Sequence, residues 1–487
     1  MEKKSNRNTI VSGSDILLVI PPPFFTRMPH IGVAYLSSFL KAKGFRVSVY
    51  DLSLNLYNCA TDELKKLWQI DLLNKLFVTE AADSVYKNFE QQITRFVEDV
   101  LATDIKVIGF SVNIVSIFLA NRIAMEIKKK DPGRFIIFGG PGTYFKHPRE
   151  LTEPGFVDLY VIGEGELTLN KILIAYYSGK NIETAPGILS GNDLGRRQAI
   201  PGQIIHNLDT IPPPTFSEFN LDDYNQGNEY KPLPLLLNRG CINRCSYCID
   251  CIMWPRYRSR SPKHIMAEID YHINKNNTRA FEILDLTCNG NLGQLSKTCG
   301  LIIDSGYKFD WVSYAVIRRD MDFTLLKKMK QAGCNTLIYG VENGSDRILK
   351  KMGKRYTAKE ASGVIRTTHK AGIRVNINII VGFPGETEKD FEDTIDFIRE
   401  NKDYINEVTN VSGCTLFPEA EIGINSRKYG IVWDGCSEPM LYEDSNGLGR
   451  SGRIERVARM AEAISELNLS RSIINKPALA PIMRGSQ

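Results

Sequence analysis

The sequence predicts an α/β protein made of two successive βα-built domains and a short helical tail. Three observations carry that reading. Strand and helix patterns alternate through the first 190 residues, strand-plus-helix units resume from about residue 232 to about residue 425, and a stretch rich in Pro, Asn, Asp and Gly lies between them. A chain of 487 residues is also longer than one hydrophobic core usually serves.

The elements follow in order. Residues 15–20 form an apolar strand run. Residues 31–43 place Val33, Leu36 and Leu40 at helical spacing and stop at Gly44, and residues 45–50 alternate as a strand. Residues 107–111, 135–138 and 159–162 repeat the strand pattern, each followed by a loop and a helical segment. The outcome expected is a five-stranded parallel sheet with helices on both faces and ligands at the carboxyl ends of its strands. The loops at those ends are Pro21-Pro-Pro-Phe24, Met28-Pro-His-Ile-Gly32, Ser111-Val-Asn113, Gly139-Gly-Pro-Gly142 and Gly163-Glu-Gly-Glu166. Glycine in such loops lets backbone approach a bulky ligand closely.

Residues 191–231 contain Ile211-Pro-Pro-Pro214 and read as an interdomain linker. Beyond it the strand candidates are residues 235–237, 283–286, 311–317, 336–341, 375–381 and 411–417, giving six βα units. Residues 426–487 read as a small helical cap with a loose, Pro-containing end. Arg450, Arg453, Arg456 and Arg459 alternate there with Glu455 and Glu462, as a solvated helix face would.

Composition narrows the function classes. Basic and acidic residues number 61 and 56, a net charge of +5, which provides no strong field for nucleic acid. The polar, basic start of the chain lacks a long apolar region, and Pro21, Pro22 and Pro23 interrupt the next apolar run, so neither a signal peptide nor a membrane span is expected. Four of the ten cysteines fall within residues 241–251, which argues for metal binding in a reducing compartment, the cytoplasm.

Those cysteines carry the chemistry. Cys241, Cys245 and Cys248 stand as Cys-x3-Cys-x2-Cys directly after the apolar run 235–237. Three thiolates on one tight loop can hold three corners of a [4Fe–4S] cluster and leave the fourth iron open to a substrate or cofactor. A structural zinc site would need a second ligand pair, and none follows in the chain. Cys245, Cys248 and Cys251 also read as a partial ferredoxin pattern, in which Cys251 would close the open iron.

With Gly240 before the first cysteine and Tyr247 before the last, this segment resembles the radical S-adenosylmethionine (SAM) enzymes. The N-terminal loops extend the likeness. Pro-Pro at residues 21–23, Pro29-His-Ile-Gly-Val-Ala-Tyr-Leu36, Gly139-Gly-Pro141 and Gly163-Glu-Gly-Glu166 resemble the cobalamin-binding domain that precedes the barrel in one class of these enzymes. Together the likenesses cover roughly residues 12–425. They imply a Rossmann-like cobalamin-binding domain over residues 12–190, a partial (β/α)6 TIM-type barrel over 232–425 and the cap over 426–487.

The resemblance also assigns residues. Cys241, Cys245 and Cys248 would ligate the cluster. Tyr247, Asp285, Arg318, Glu342, Gly344, Gly382, Pro384 and Glu386 would bind SAM, with Asp285 toward its ammonium, Arg318 toward its carboxylate and Glu342 toward the ribose hydroxyls. Pro22, Pro29, Gly32, Ser111, Asn113, Gly139, Gly140, Gly142, Gly163, Glu164, Gly165 and Glu166 would contact cobalamin. No catalytic side chain is assigned. The run Tyr257-Arg-Ser-Arg-Ser-Pro262, followed by Glu268, resembles the family's lead into the first barrel helix, with Ser261 as N-cap and Pro262 at the first helical position; a purely structural role stays open.

Departures from the family's patterns are informative too. Leu286 stands where a second acidic residue is common. The Asp-x-His-x-x-Gly motif that supplies a histidine to cobalt is absent, since His30 follows Met28 and is two residues from Gly32, so cobalamin without an axial histidine is expected. Phe417-Pro-Glu-Ala-Glu-Ile-Gly423 replaces the family's Pro-Gly-Thr and points to an unusual substrate.

The activity implied is methylation of an unactivated carbon of a small-molecule or peptide substrate through a 5′-deoxyadenosyl radical and methylcobalamin. An external electron donor such as flavodoxin or ferredoxin is implied as partner, and neither nucleic acid nor membrane. Cyclisation or rearrangement with the same cofactors is the alternative, and a non-catalytic corrinoid or redox sensor the remote one. Methylthio transfer to transfer RNA would need cysteines for a second cluster in the N-terminal domain, where Cys59 stands alone before residue 240.

Overall fold

Strand β1 (Ile16–Ile20) is buried along its whole length, as a central strand of a sheet covered on both faces must be. It pairs in parallel with β2 (Val47–Asp51) on one side and β3 (Val107–Ser111) on the other. Strands β4 (Phe135–Gly139) and β5 (Leu159–Val161) continue the parallel sheet, and β6 (Ile188–Ser190) closes its edge antiparallel to β5. The order β2-β1-β3-β4-β5-β6 is a doubly wound, flavodoxin-like arrangement whose switch point lies between β1 and β3. Helices α1 (Ile31–Ala42) and α2 (Ser116–Lys130) form crossovers of this sheet, and α3 (Gly165–Tyr177) joins β5 to its antiparallel neighbour β6. The edge strand β6, a three-residue run without an alternating pattern, was outside the five strands the sequence predicts.

The computed structural model describes residues 9–68, 79–144, 155–194, 196–226, 228, 230–432 and 442–471, and the chain divides into two compact units between Pro234 and Leu235. The Pro-rich stretch 191–231 belongs to the first unit. It buries Leu208, Ile211, Phe216, Phe219 and Tyr224, and the Tyr224 hydroxyl donates to Asp51 Oδ2 at 2.7 Å. Such apolar side chains give it a packing role that its turn-forming composition conceals.

Asp51 also accepts from Leu54 N–H at the start of a helix, yet burial pushes its carboxyl up to about 6. A raised carboxyl in the folded state contributes stability that is fully present below about pH 4 and is lost as pH rises through about 6. Asp51→Asn keeps an N-cap and an acceptor for Tyr224 while removing the buried charge. Its expected effect at pH 8 is stabilisation of up to about 3 kcal/mol, vanishing near pH 4, as read from denaturant unfolding at the two pH values.

The second unit is a parallel sheet whose strands lie in chain order. The short β7 (Leu233–Leu235) leads into it, followed by β8 (Ala280–Ile283), β9 (Asp310–Ala315), β10 (Cys334–Glu342), β11 (Arg374–Val381), β12 (Glu407–Gly413) and a two-residue β13 (Ser470–Arg471). Each strand beside its predecessor is the pattern of a (β/α) barrel, here with six principal strands. The intervening helices are α4 (Pro262–Asn276), α5 (Leu292–Ser305), α6 (Phe323–Gln331), α7 (Ala358–Lys370) and α8 (Glu388–Asn401). Their starts follow capping chemistry. Ser261 accepts from His264 N–H ahead of Pro262, and Thr357 with Glu360 and Thr387 with Asp390 form capping boxes.

The C-terminal helix α9 (Arg450–Glu466) packs on β12 and β11. The solvated arginine face expected from the sequence is overturned at Arg453 and Arg456, while Arg450 is exposed. Arg453 is fully buried and Arg456 nearly so, because both reach polar groups at the end of β11. Charge interleaving could not reveal that, since the acceptors are 70 residues away. The loose chain end expected after residue 471 lies outside the described residues.

Candidate functional site

Six of the sequence-predicted residues line one cavity of about 170 Å³ in the second unit: Cys241, Cys245, Tyr247, Cys248, Asp285 and Glu342. A water needs roughly 10–15 Å³ of such space, so the cavity has room for a ligand. Barrel strands supply much of the remaining wall, including Tyr314, Gly340, Asn378, Ile380, Asn410 and Ser412, and segments between strands add Asp250 and Lys354.

The cysteine loop is held from both sides. Gly240 has φ +87°, and a Cβ there would meet Arg256 O at 2.6 Å, so only glycine serves. Ser246 N–H donates to Met352 O at 3.0 Å and its hydroxyl to Lys351 O at 3.2 Å, while Ile422 N–H donates to Ser246 O at 2.9 Å. Cys248 N–H closes a turn onto Cys245 O at 3.0 Å. Tyr247 stacks edge-on against Phe383, with ring centroids 6.5 Å apart. Cys251 is not among the cavity-lining residues, and its thiol donates to Asn243 O at 3.6 Å.

The donor set suits a cluster better than a lone ion. Among the described residues no three His, Cys, Asp or Glu converge on one point closely enough to hold a single metal ion. Thiolates on a cluster need not, because each meets a different iron. Burial pushes the Cys241 thiol up to about 11, so it stays protonated until a cation displaces the proton.

Glu342 ends β10 in a left-handed conformation, φ 70°, at a register shift beside Gly340. A carboxylate residue held there is strained, and such strain concentrates at functional sites. Lys354 Nζ binds Glu342 Oε1 at 3.2 Å and Gly340 O at 3.2 Å, and lies 5.7 Å from the Tyr247 ring centre. Burial works against the Lys354 ammonium, but the Cys245 and Glu342 charges hold it well above the usual lysine range. Sequence reasoning missed Lys354, which nothing marks among the basic residues Lys350, Lys351 and Arg355.

Asp285 lines the cavity while serving the framework. Its Oδ1 accepts from Leu237 N–H at 2.9 Å and Asn238 N–H at 3.2 Å, fixing the chain just ahead of the cysteine loop, and burial pushes its carboxyl well above the usual range. Arg318 pairs with Asp320 at 2.6 and 2.8 Å and donates to Asn289 O and Gly290 O at 2.9 Å. It is not a cavity-lining residue.

Gly344, Gly382, Pro384 and Glu386 also stand off the lining. A Cβ on Gly344 would meet Asp393 O at 2.5 Å, and one on Gly382 would meet the Arg453 side chain at 2.7 Å. Glu386 accepts from Gly382 N–H and Arg456 at 2.6 Å and from Asn343 Nδ2 at 2.9 Å, joining the ends of β10 and β11 to α9. Arg260 binds Glu268 at 2.5 Å and Leu236 O at 2.6 Å, which makes the Tyr257–Pro262 run a buried tie between α4 and the first strand.

In the first unit the loops after β1, β3 and β4 meet at the switch point. Asn113 Oδ1 accepts from Val115 and Ser116 N–H at 2.8 Å, and its Nδ2 donates to Pro23 O at 3.4 Å. A Cβ on Gly140 would meet Val112 O at 2.7 Å, and on Gly142 Asn113 O at 2.5 Å, so these glycines let the two loops touch. Ser111, Gly139 and Gly140 remain half-buried, presenting small groups on which a broad, flat ligand can lie. Pro22, Pro29, Glu164 and Glu166 are buried, and Gly32, Gly163 and Gly165 half-buried; Glu164 accepts from Ile205 N–H at 2.7 Å. His30 caps α1 by accepting from Val33 N–H at Nδ1 and meets Ser111 Oγ at 3.2 Å through Nε2. Burial lowers its pKa to about 3, so it stays neutral with both nitrogens engaged.

Residues 235–398 match the radical SAM superfamily. The chain is 26% identical over 395 residues to an uncharacterised methyltransferase of Pyrococcus horikoshii, covering 79% of this chain and 78% of that one. It is 28% identical over 295 residues to the anaerobic magnesium-protoporphyrin IX monomethyl ester cyclase of Cereibacter sphaeroides, covering 57% of this chain but less than half, 47%, of the relative. Its fold resembles the radical SAM methyltransferase TsrM of Kitasatospora setae, solved with tryptophan and a SAM analogue, at TM-score 0.66 and 16% identity over 93% of this chain and 89% of that one. Another structure of that protein holds cobalamin and a [4Fe–4S] cluster. With a cysteine loop leading into an ordered parallel barrel, residues 235–398 carry a radical SAM domain, joined to a Rossmann-like N-terminal sheet.

Proposed function

We propose that this chain is a cobalamin-dependent radical SAM methyltransferase acting on an unactivated carbon of a small-molecule or peptide substrate. The observation that carries the reading is the division of the four cysteines of the 241–251 loop: Cys241, Cys245 and Cys248 line the barrel cavity and Cys251 does not. A [4Fe–4S] cluster on Cys241, Cys245 and Cys248 would supply the electron that cleaves SAM, and a methylated corrinoid the methyl group.

The chain's own residues supply placement. Glu342, fixed by Lys354, offers a carboxylate oxygen toward the cavity for hydroxyl groups of a bound nucleoside. Tyr247 and Ile380 give it apolar surface, and the buried strand ends keep water from the reacting carbon. Ser111, Asn113 and the glycines of the β4 loop would receive cobalamin, with His30 left as a helix cap and no ligand to cobalt. An external reductant would deliver electrons to the cluster.

The likeness to the magnesium-protoporphyrin cyclase favours a second reading, rearrangement or cyclisation without methyl transfer. Product mass separates the two. Protein reconstituted anaerobically with iron, sulfide and cobalamin, given SAM and a strong reductant, is expected to release 5′-deoxyadenosine and a substrate heavier by one methyl group. A product without that added mass overturns methylation and favours cyclisation; no 5′-deoxyadenosine and no transferred methyl overturn both.

A further inference from the structure

The far wall of the barrel cavity is polar and unsatisfied. Asn378 on β11 and Thr409, Asn410 and Ser412 on β12 all line it, and the side-chain oxygen of each is buried without a protein hydrogen-bond partner. Thr409 and Ser412 are each 6% exposed. An unmade hydrogen bond at such depth costs about 1–3 kcal/mol, so four on one wall form a pattern that folding alone does not select.

A β-bulge creates the wall. Ile377 lies opposite Val408 and Asn378 opposite Asn410, which leaves Thr409 as the extra residue of β12. A regular strand would send Thr409 and Asn410 to opposite faces; the bulge lets both reach the cavity. Asn378 and Asn410 are thereby register neighbours, two carboxamides side by side.

The chemistry of the wall defines its ligand. It carries no charged side chain; of the carboxylates that line the cavity, Glu342 and Asp285 have partners in Lys354 and the 237–238 backbone, and Asp250 belongs to the cysteine loop, where it accepts from the Cys248 thiol. A carboxylate or phosphate would call for Arg or Lys, and an ammonium for a free carboxylate. Carboxamides and hydroxyls present acceptors and donors together, the complement of a neutral amide. Tyr314, Val316 and Phe417 give the adjacent surface an apolar character.

We propose that Asn378, Thr409, Asn410 and Ser412 form the substrate-anchoring subsite, and that the substrate is an apolar molecule bearing an uncharged amide. The assignment rests on the radical SAM reading of the same cavity.

Calorimetric titration of reconstituted, SAM-loaded protein with benzamide, methyl benzoate and benzoate tests it. Benzamide is expected to bind at least about tenfold more tightly than the other two. In Asn378→Leu and Asn410→Leu that preference disappears, while iron content, SAM binding and melting temperature stay at or above wild type, because an orphaned oxygen has been removed. Thr409→Val, nearly isosteric, provides the same test should a leucine variant fail to fold. Equal binding of the three probes by wild type, no binding by any of them, or full preference retained in the variants overturns the subsite. Lower melting temperature with lost iron in all three variants assigns the wall a structural role and also overturns it. Wild type that binds neither iron nor SAM instead fails the radical SAM reading itself.

Discussion

Cys245→Ala is expected to lose the cluster's iron and sulfide, its visible absorbance and all SAM cleavage above the background of the reductant. The effect is large because the loop holds only three thiols on the cavity, so each loss removes one corner of the cluster. Cys251 cannot substitute without rewinding the loop, since its thiol stands off the cavity, against Asn243 O and the Cys248 thiol. Cys251→Ala is therefore expected to keep wild-type iron content and cleavage. Iron and sulfide analysis of the two variants decides between the open-iron arrangement and the partial ferredoxin pattern, in which the second variant would also lose its cluster.

Arg453→Ala is expected to destabilise the second unit by about 3–5 kcal/mol, read from denaturant unfolding. The side chain is fully buried, donates to Gly382 O at 3.0 Å and Tyr442 O at 2.8 Å, and its guanidinium lies 3.6 Å from the Tyr442 ring centre. Truncation leaves two buried carbonyls without donors and a cavity against Gly382. Arg453→Lys keeps the charge but not the planar fork, and is expected to lose about half as much. An alanine variant as stable as wild type would make the buried arginine dispensable.

The second prediction bears on the loop that follows β11. Gly382-Phe-Pro-Gly-Glu386 was legible as a strand-end turn of a radical SAM barrel. Its glutamate, however, is bound to Gly382 N–H, Asn343 and Arg456, and acts by holding three strand and helix ends together. Arg318 is similar, since its partner Asp320 is only two residues away and its carbonyl acceptors lie in the preceding loop. A motif states which residue types a loop needs; whether a carboxylate faces a ligand or a neighbouring backbone depends on segments far away in sequence.

The βα alternation, the parallel sheets and the cysteine loop were determined locally, by apolar periodicity, capping residues and a spacing of three and two between thiols. Those signals lie within a few residues of the feature they specify. The antiparallel edge strand β6, the burial of Arg453, the Lys354–Glu342 pair and the β12 bulge that turns Thr409 and Asn410 into one cavity were decided only by tertiary structure. Each depends on which distant backbone or charge comes to lie beside a side chain, and in a closely packed barrel that is set by the register of neighbouring strands.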